Sequence, residues 1–267
     1  MRFGMTANVE IPEGPRIAKI VYEALKDQDL VLEREVAKRF GTEGERIEDM
    51  KVDIMVAVGG DGTILRALQK NAAPIFGVNA GELGFLTEIS EGGISEGVQR
   101  ILREDFRVEE RIKLKTVVGG KRAKDAMNET VVHTAHIAKI RQFKVFVDDE
   151  LAMEVRADGI IVSTPTGSTT YSMSVGGPIL DPRVQALVIA PMAPFKFASR
   201  PTVVPASSNI RLELPRPKPC LAVIDGQEDI HMTGEEQVHF TSAETKARFV
   251  RFERGFYTRT REKLMVG

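Results

Sequence analysis

The stretch Val56-Ala57-Val58-Gly59-Gly60-Asp61-Gly62-Thr63-Ile64-Leu65 decides the architecture of the first half of the chain. Residues 52–58 are apolar apart from Asp53, the pattern of a strand buried on both faces of a parallel sheet. The run leads straight into Gly-Gly-Asp-Gly-Thr, and beyond it Ile64, Leu65 and Leu68 recur at helical spacing. A glycine-rich turn between a strand and a helix presents bare backbone N–H groups at a helix N-terminus, a ready site for phosphate. Gly59, Gly60, Gly62 and Thr63 make up that turn together with Asp61. Asp61 is its odd member, because a carboxylate repels phosphate. Two readings stand: a proton acceptor or metal-facing group beside the phosphate, or an acidic cap on the following helix.

Working outward, residues 1–6 read as a first strand and 8–15 as a turn-rich loop. Ile17, Ile20, Val21, Ala24 and Leu25 form a helical stripe, residues 31–36 read as strand, and 41–50 as charged loop. A helix over 63–71 followed by a strand over 74–79 completes a strand–helix–strand unit, which implies a parallel, right-handed crossover. Asn79 and the glycines after it then leave the sheet at its carboxyl edge, where open α/β sheets bind ligands. Ile94, Val98, Ile101 and Leu102 mark another helix. Near Phe106 the character changes. Strands are expected over 112–118, 144–147, 159–163 and 210–214, a partly helical stretch over 184–190, and a proline-rich turn over 215–219. The fold class is thus an α/β N-terminal domain with a parallel sheet (residues 1–106), followed by a β-rich C-terminal domain (107–248).

Composition narrows the function classes. Net charge is −1 over 267 residues, so bulk electrostatics favour neither nucleic acid nor a membrane surface as partner. The apolar fraction of 42% is ample for a core. A single cysteine, Cys220, allows no internal disulfide, which fits a reducing cytoplasm. No apolar run approaches a membrane span, and the N-terminus lacks a signal-peptide pattern.

The common nucleotide motifs are missing. There is no Gly-x-x-x-x-Gly-Lys-Ser/Thr loop, and counting from Gly60 a Gly-x-Gly-x-x-Gly fails at Leu65. Hydride-transfer chemistry is therefore disfavoured. Asn128 and Glu129, side by side, can read an adenine edge and ribose hydroxyls through paired donors and acceptors, or form a solvated loop. From Asp158-Gly159 through Thr164-Pro165-Thr166-Gly167-Ser168-Thr169-Thr170-Tyr171 to Ser174 and Gly176-Gly177-Pro178, the chain is crowded with hydroxyls and glycines, and residues 160–180 carry no charge. Such a segment can surround a polar ligand with neutral donors. His133 and His136 lack the companions of a metal site, and no Ser-His-Asp arrangement can be argued. Arg248, Arg251, Arg254, Arg259 and Arg261 form a basic tail whose default reading is a solvated face.

Taken together, Gly59-Gly60-Asp61-Gly62-Thr63, Asn79-x-Gly81-x-Leu83-Gly84-Phe85-Leu86, Asn128-Glu129, the hydroxyl-rich segment and Asp225-Gly226 resemble the NAD kinase family, in the family's order, from about residue 50 to the C-terminus. The glycine turn by itself is shared with lipid, sphingosine and phosphofructokinases. The hydroxyl-rich segment with its Asn-Glu pair is the specific part. One departure is Thr170, where many relatives have alanine. The resemblance implies transfer of a phosphoryl group from ATP, or polyphosphate, to the 2′-hydroxyl of the adenosine ribose of NAD. It implies Asp61 as proton acceptor, Gly59, Gly60, Gly62 and Thr63 at the donor phosphates, and Mg²⁺ with ATP. Asn79, Asn128, Glu129, Asp158, Thr169, Thr170, Tyr171 and Ser174 would line the dinucleotide pocket, with no metal-ligating side chains of the protein's own. Residues 249–267 would pack back on the first domain.

A homodimer or homotetramer with shared sites is expected as well. The uncharged stretch 160–180 and the apolar run 186–197 are long for a small domain facing water. Two other functions remain open at this point: a lipid or sphingoid kinase with the same turn, and a non-catalytic dinucleotide-binding regulator.

Overall fold

The computed structural model describes residues 1–81, 84–136, 139–195, 199–253 and 255–264. Leu83 of the Asn79 motif, Arg254 of the basic tail, and Phe197 at the end of the second apolar run lie outside the described residues. The chain divides into two compact units, Met1–Glu110 with Ala247–Gly267, and Arg111–Lys246.

The first unit opens with strand β1 (Arg2–Ala7), helix α1 (Gly14–Leu25), β2 (Asp29–Leu32), α2 (Arg34–Phe40), β3 (Ile54–Gly59), α3 (Asp61–Lys70), β4 (Ile75–Asn79) and α4 (Ile94–Leu102). The strands pair in parallel in the order β2-β1-β3-β4. Every residue of β3 and β4 is buried, as the unbroken apolar run requires. The core of this unit gathers Phe3, Met5, Ile54, Val56 and Phe76 beneath Ile17, Val21 and Ile101. Burying each large side chain of this kind contributes about 1.5–3 kcal/mol.

The second unit contains β5 (Arg107–Val118, from Arg111 on), β6 (Lys121–Arg122), β7 (Glu129–Thr134), β8 (Arg141–Val147), β9 (Glu150–Ala157), β10 (Gly159–Ser163), the single turn α5 (Tyr171–Ser174), β11 (Ala186–Met192), β12 (Thr202–Pro205), β13 (Ile210–Glu213), β14 (Cys220–Ile224), β15 (Glu228–Met232) and most of β16 (Val238–Arg251). Six of these strands form an antiparallel sheet ordered β12-β11-β10-β7-β14-β15. Its inner side chains, among them Ile160, Val162, Leu187 and Ile189, share one core with Phe143 of β8, Leu212 of β13 and Phe240 of β16. In the first unit the end of β16 returns beside β4, with Phe249 paired to Ile75, and α6 (Phe256–Leu264) follows.

The expected fold class holds: a mostly parallel α/β part, then a β-rich part. Some local expectations do not. Residues 184–190 are not helical. Ala186–Met192 is a strand, paired with β10 from Val188 on and with β12 up to Ile189, so that β-branched Val188 and Ile189 have a neighbour on each side, a position that suits them. The strand expected over 31–36 ends at Leu32. Glu33 turns its carboxylate towards Arg66, and α2 follows, closed by Gly41 at φ 68°, a left-handed cap for which glycine is favoured. The loop expected over 41–50 contains one 3-10 turn, Ile47–Asp49. In α1 the buried stripe is Ile17, Ala18, Val21 and Leu25, so Ile20 and Ala24 face outward. The two runs that motivated an oligomer are in large part interior: Ile160 to Val162 and Leu187 to Ala190 are all 0–1% exposed.

Candidate active site

Gly59 ends β3 and Asp61 opens α3 at its first position. Gly59 sits at φ +155°, and a Cβ there would lie 2.3 Å from Thr63 Oγ1, so a side chain is excluded both by conformation and by space. At Gly60 and Gly62 an added Cβ would meet nothing within 4 Å. At neither position does a side chain stand between the helix N-terminus and an incoming group, a condition for phosphate binding there. A cavity of about 310 Å³ opens there, lined in part by Asn8, Gly62, Thr63 and Arg66.

Asp61 does not cap its helix: no side-chain cap bond is made, and the N-cap position belongs to Gly60. Its carboxylate instead accepts the backbone N–H of Phe85 at Oδ2 (2.9 Å) and of Leu86 at Oδ1 (2.9 Å). Each oxygen keeps a further acceptor direction, so the group is oriented yet still able to take a proton. Asn79, 7% exposed, donates from its side-chain amide to Gly81 O at 2.8 Å, and its Oδ1 is buried with no partner among the described residues.

The basic tail divides. Arg251 is buried, with its guanidinium 2.8 Å from Glu88 Oε2, and Arg259 reaches the same oxygen at 2.9 Å. The solvated-face reading therefore fails for these two, because the tail returns to the first unit and meets a buried carboxylate there. Arg248 donates to Ala72 O at 2.7 Å.

In the second unit Asn128 and Glu129 lie at the start of β7, both buried. Thr164 fastens the same place, donating to Met127 O at 2.6 Å while its backbone N–H meets Asn128 O at 2.8 Å. Asp225 accepts three successive backbone N–H groups, from Met127 (2.7 Å), Asn128 (2.8 Å) and Glu129 (3.1 Å). Sequence reasoning matched Asp225 to the family but assigned it no role. Its signal was the Asp-Gly pair, whose turn holds Asp225 at φ 49° and Gly226 at φ 64°. Asn128 Oδ1, Ser163 Oγ and Ser172 Oγ are buried without a partner among the described residues, and such atoms ask for a ligand or water.

Burial pushes the Glu129 carboxyl up to about 7, and the nearby Asp225 charge adds to this. The Thr170 hydroxyl, 2.5 Å from Oε2, pulls it down. That hydroxyl also lies 2.7 Å from Gly167 O. The one hydroxyl hydrogen of Thr170 is within reach of both the Glu129 carboxylate and the Gly167 carbonyl, in the manner of a three-centre bond. The hydroxyl by which Thr170 departs from the family is thus spent on Glu129. Of the remaining predicted residues, Thr169 is buried, Asp158 and Thr170 are half-buried, and Tyr171 and Ser174 are exposed.

Between the ordinary value of 4.5 and about 7, the native state binds more protons than the unfolded chain, so Glu129 lowers stability as pH rises through that window. Glu129→Gln is expected to be more stable than the wild type at pH 8, by up to about 3 kcal/mol, with the gain shrinking towards pH 5. Urea unfolding at both pH values measures it, and an equal difference at the two would contradict the buried-carboxylate account.

A carboxylate held beside an open, glycine-lined helix N-terminus has the parts of a phosphotransferase centre. Comparison with known proteins is specific. Residues 7–106 match the ATP-NAD kinase N-terminal domain and 127–252 the ATP-NAD kinase C-terminal domain. An NAD kinase of Methanothermobacter thermautotrophicus is 42% identical, with 100% of this chain and 97% of the relative covered. One of Thermoplasma volcanium is 40% identical over 93% and 92%. A solved NAD kinase from Archaeoglobus fulgidus, in complex with ATP, superposes with a TM-score of 0.80 at 28% identity, covering all of both chains. Yeast NADH kinase, solved with NADH, shares the fold at a TM-score of 0.89, 21% identity, and 99% and 87% coverage. The chain belongs to the NAD kinase family. It is an enzyme that phosphorylates NAD at the expense of ATP, which sets aside the lipid-kinase and non-catalytic readings. No described helix is long and apolar enough to cross a membrane.

Proposed function

We propose that Asp61 is the general base of this reaction: it takes the proton of the ribose 2′-hydroxyl as that oxygen attacks the terminal phosphorus of the donor, and ADP leaves. The observation that carries this is the carboxylate at the first position of α3, gripped by two backbone N–H groups beside glycines that leave the helix end open. Gly59, Gly60, Gly62 and Thr63 receive the donor phosphates, beside a cavity whose wall carries Arg66, itself paired with Glu33. Mg²⁺ enters as part of the ATP substrate and offsets charge on the transferring group; among the described residues no group of three His, Cys, Asp or Glu side chains is placed to hold an ion. Asn79, Asn128 and Glu129 hold the dinucleotide, with Asp158, Thr169, Thr170, Tyr171 and Ser174 around it. The orphaned Asn79 Oδ1 and Asn128 Oδ1 support that assignment.

We also infer a cytoplasmic enzyme, which its single cysteine fits, and a homodimer or homotetramer, which is supported by the apolar side chains the second unit leaves exposed, among them Phe195 at 65%, Val203 at 46% and Tyr171 at 43%. One assay tests both proposals. The chain is incubated with NAD, Mg²⁺ and either ATP or polyphosphate, over a dilution series, and scored for NADP. NAD lacking the 2′-hydroxyl should compete with NAD yet give no phosphorylated product. Product from that analogue would place the acceptor oxygen elsewhere. Specific activity should fall on dilution, with NAD opposing the loss; constant activity from a demonstrated monomer would remove the assembly.

A further inference from the structure

The buried ion pairs at the end of the chain face the same short segment that grips Asp61. Leu86 donates its N–H to Asp61 Oδ1, and the carbonyl of the same peptide unit, that of Phe85, accepts from Arg259 Nη1 at 3.4 Å. A trans peptide is planar, with its N–H and C=O pointing opposite ways. Asp61 and Arg259 therefore hold the two ends of one rigid plate. The next carbonyl, Leu86 O, accepts from Arg251 Nη1 at 3.0 Å, as does Thr87 O at 3.2 Å. Glu88 ties both guanidinium groups to the segment and accepts the N–H of Phe252 at 2.8 Å. Lys263 of α6 stands 4.5 Å from the Phe85 ring centroid.

The Arg251 and Glu88 side chains are only 3% and 4% exposed. Buried ion pairs recover their desolvation cost poorly, and an apolar replacement often serves stability as well. What an apolar residue could not do is grip the carbonyls of Leu86 and Thr87 and so fix the segment next to the peptide unit that Arg259 and Asp61 share. We propose that Arg251 and Arg259 are positioning residues for Asp61, acting through the main chain of residues 85–88. The proposal rests on Asp61 being the base. It makes the last strand and helix of the chain part of the catalytic apparatus without touching substrate.

The test uses Arg259→Gln in the full chain, with Arg259→Lys as a milder variant that keeps the charge but not the planar fork. Expected for Arg259→Gln is a loss in kcat of between about tenfold and a hundredfold, the scale of a misplaced catalytic group, with KM for NAD and for ATP within about twofold. Arg259→Lys should fall in between. The amides of Phe85 and Leu86 should exchange hydrogen faster while those of β3 are unchanged. In an Asp61→Asn background the same substitution should cost kcat nothing further. An equal loss in both backgrounds, or unchanged exchange at Phe85 and Leu86, overturns the positioning role. If instead Asp61→Asn itself keeps its kcat, the base reading falls, and the proposal that rests on it falls too, whatever the exchange data report about the clamp.

Discussion

Replacing Asp61 by Asn is expected to lower kcat by roughly 10²–10⁴-fold, the usual contribution of a positioned general base. The amide is nearly the same shape but cannot accept the proton. Because the loss lies in the transition state, the affinities for NAD and ATP should change little. Stability will move too. The two carboxylate oxygens accept the N–H groups of Phe85 and Leu86, and an Asn can offer only one oxygen. The other N–H would face an NH₂ group, leaving a donor unpaired at about 1–3 kcal/mol. Activity must therefore be measured on folded protein well below the midpoint of thermal unfolding. A variant with near-normal kcat but a lowered Tm would reduce Asp61 to a fastener of the 85–88 segment.

Gly84→Ala should reproduce much of that loss without altering Asp61. A Cβ at position 84 would lie 2.2 Å from Asp61 Oδ1 and 3.1 Å from Thr87 Oγ1. No real contact is that short, so the carboxylate or the segment carrying Phe85 and Leu86 must move. A displacement near 1 Å at a reacting group costs on the order of 10²-fold, and kcat should fall by about that factor. Overpacking of this kind costs about 1–3 kcal/mol, and at about 2–4 °C per kcal/mol the fall in Tm should be several degrees. Removing the carboxylate as well, by Asp61→Ala, should relieve the crowding but leave the N–H groups of Phe85 and Leu86 without their acceptor: the double variant should be no less stable than Asp61→Ala alone, and kcat should not recover. Wild-type kcat in Gly84→Ala would show that the observed orientation of Asp61 is not the one chemistry uses.

Much of the fold could be read locally. The unbroken apolar run before Gly59 dictated a doubly covered strand, and the stripes at Ile64 and at Ile94 dictated helices, because burial periodicity is a property of neighbours in sequence. The β-branched composition after Phe106 dictated the β-rich class for the same reason. What failed locally were positions where a distant partner outweighed propensity. Residues 186–192 became a strand because β10 and β12 flank them, and the strand at 29–32 stopped short where Glu33 turns towards Arg66.

The candidate site shows the same division. Residue types and spacing singled out the turn with Asp61, the Asn128 and Glu129 pair, and the hydroxyl-rich segment, since chemistry depends on which groups are present. Their partners were beyond reach of any pattern. Asp61 looked like a helix cap or a base, and only the fold brought it to amides 24 and 25 residues away. Asp225 looked like half of a turn, and it lies 96 to 98 residues from the amides it holds. Arg251 and Arg259 looked like members of a solvated tail, yet both meet Glu88 more than 160 residues earlier. The sequence by itself determined the class of each half and the groups available for phosphoryl transfer. The tertiary structure alone decided which carboxylate is gripped, which is pushed towards neutrality by burial, and which cations are withdrawn from water. Those properties belong to the surroundings of a side chain, and chain closure over a hundred residues creates surroundings that no local window contains.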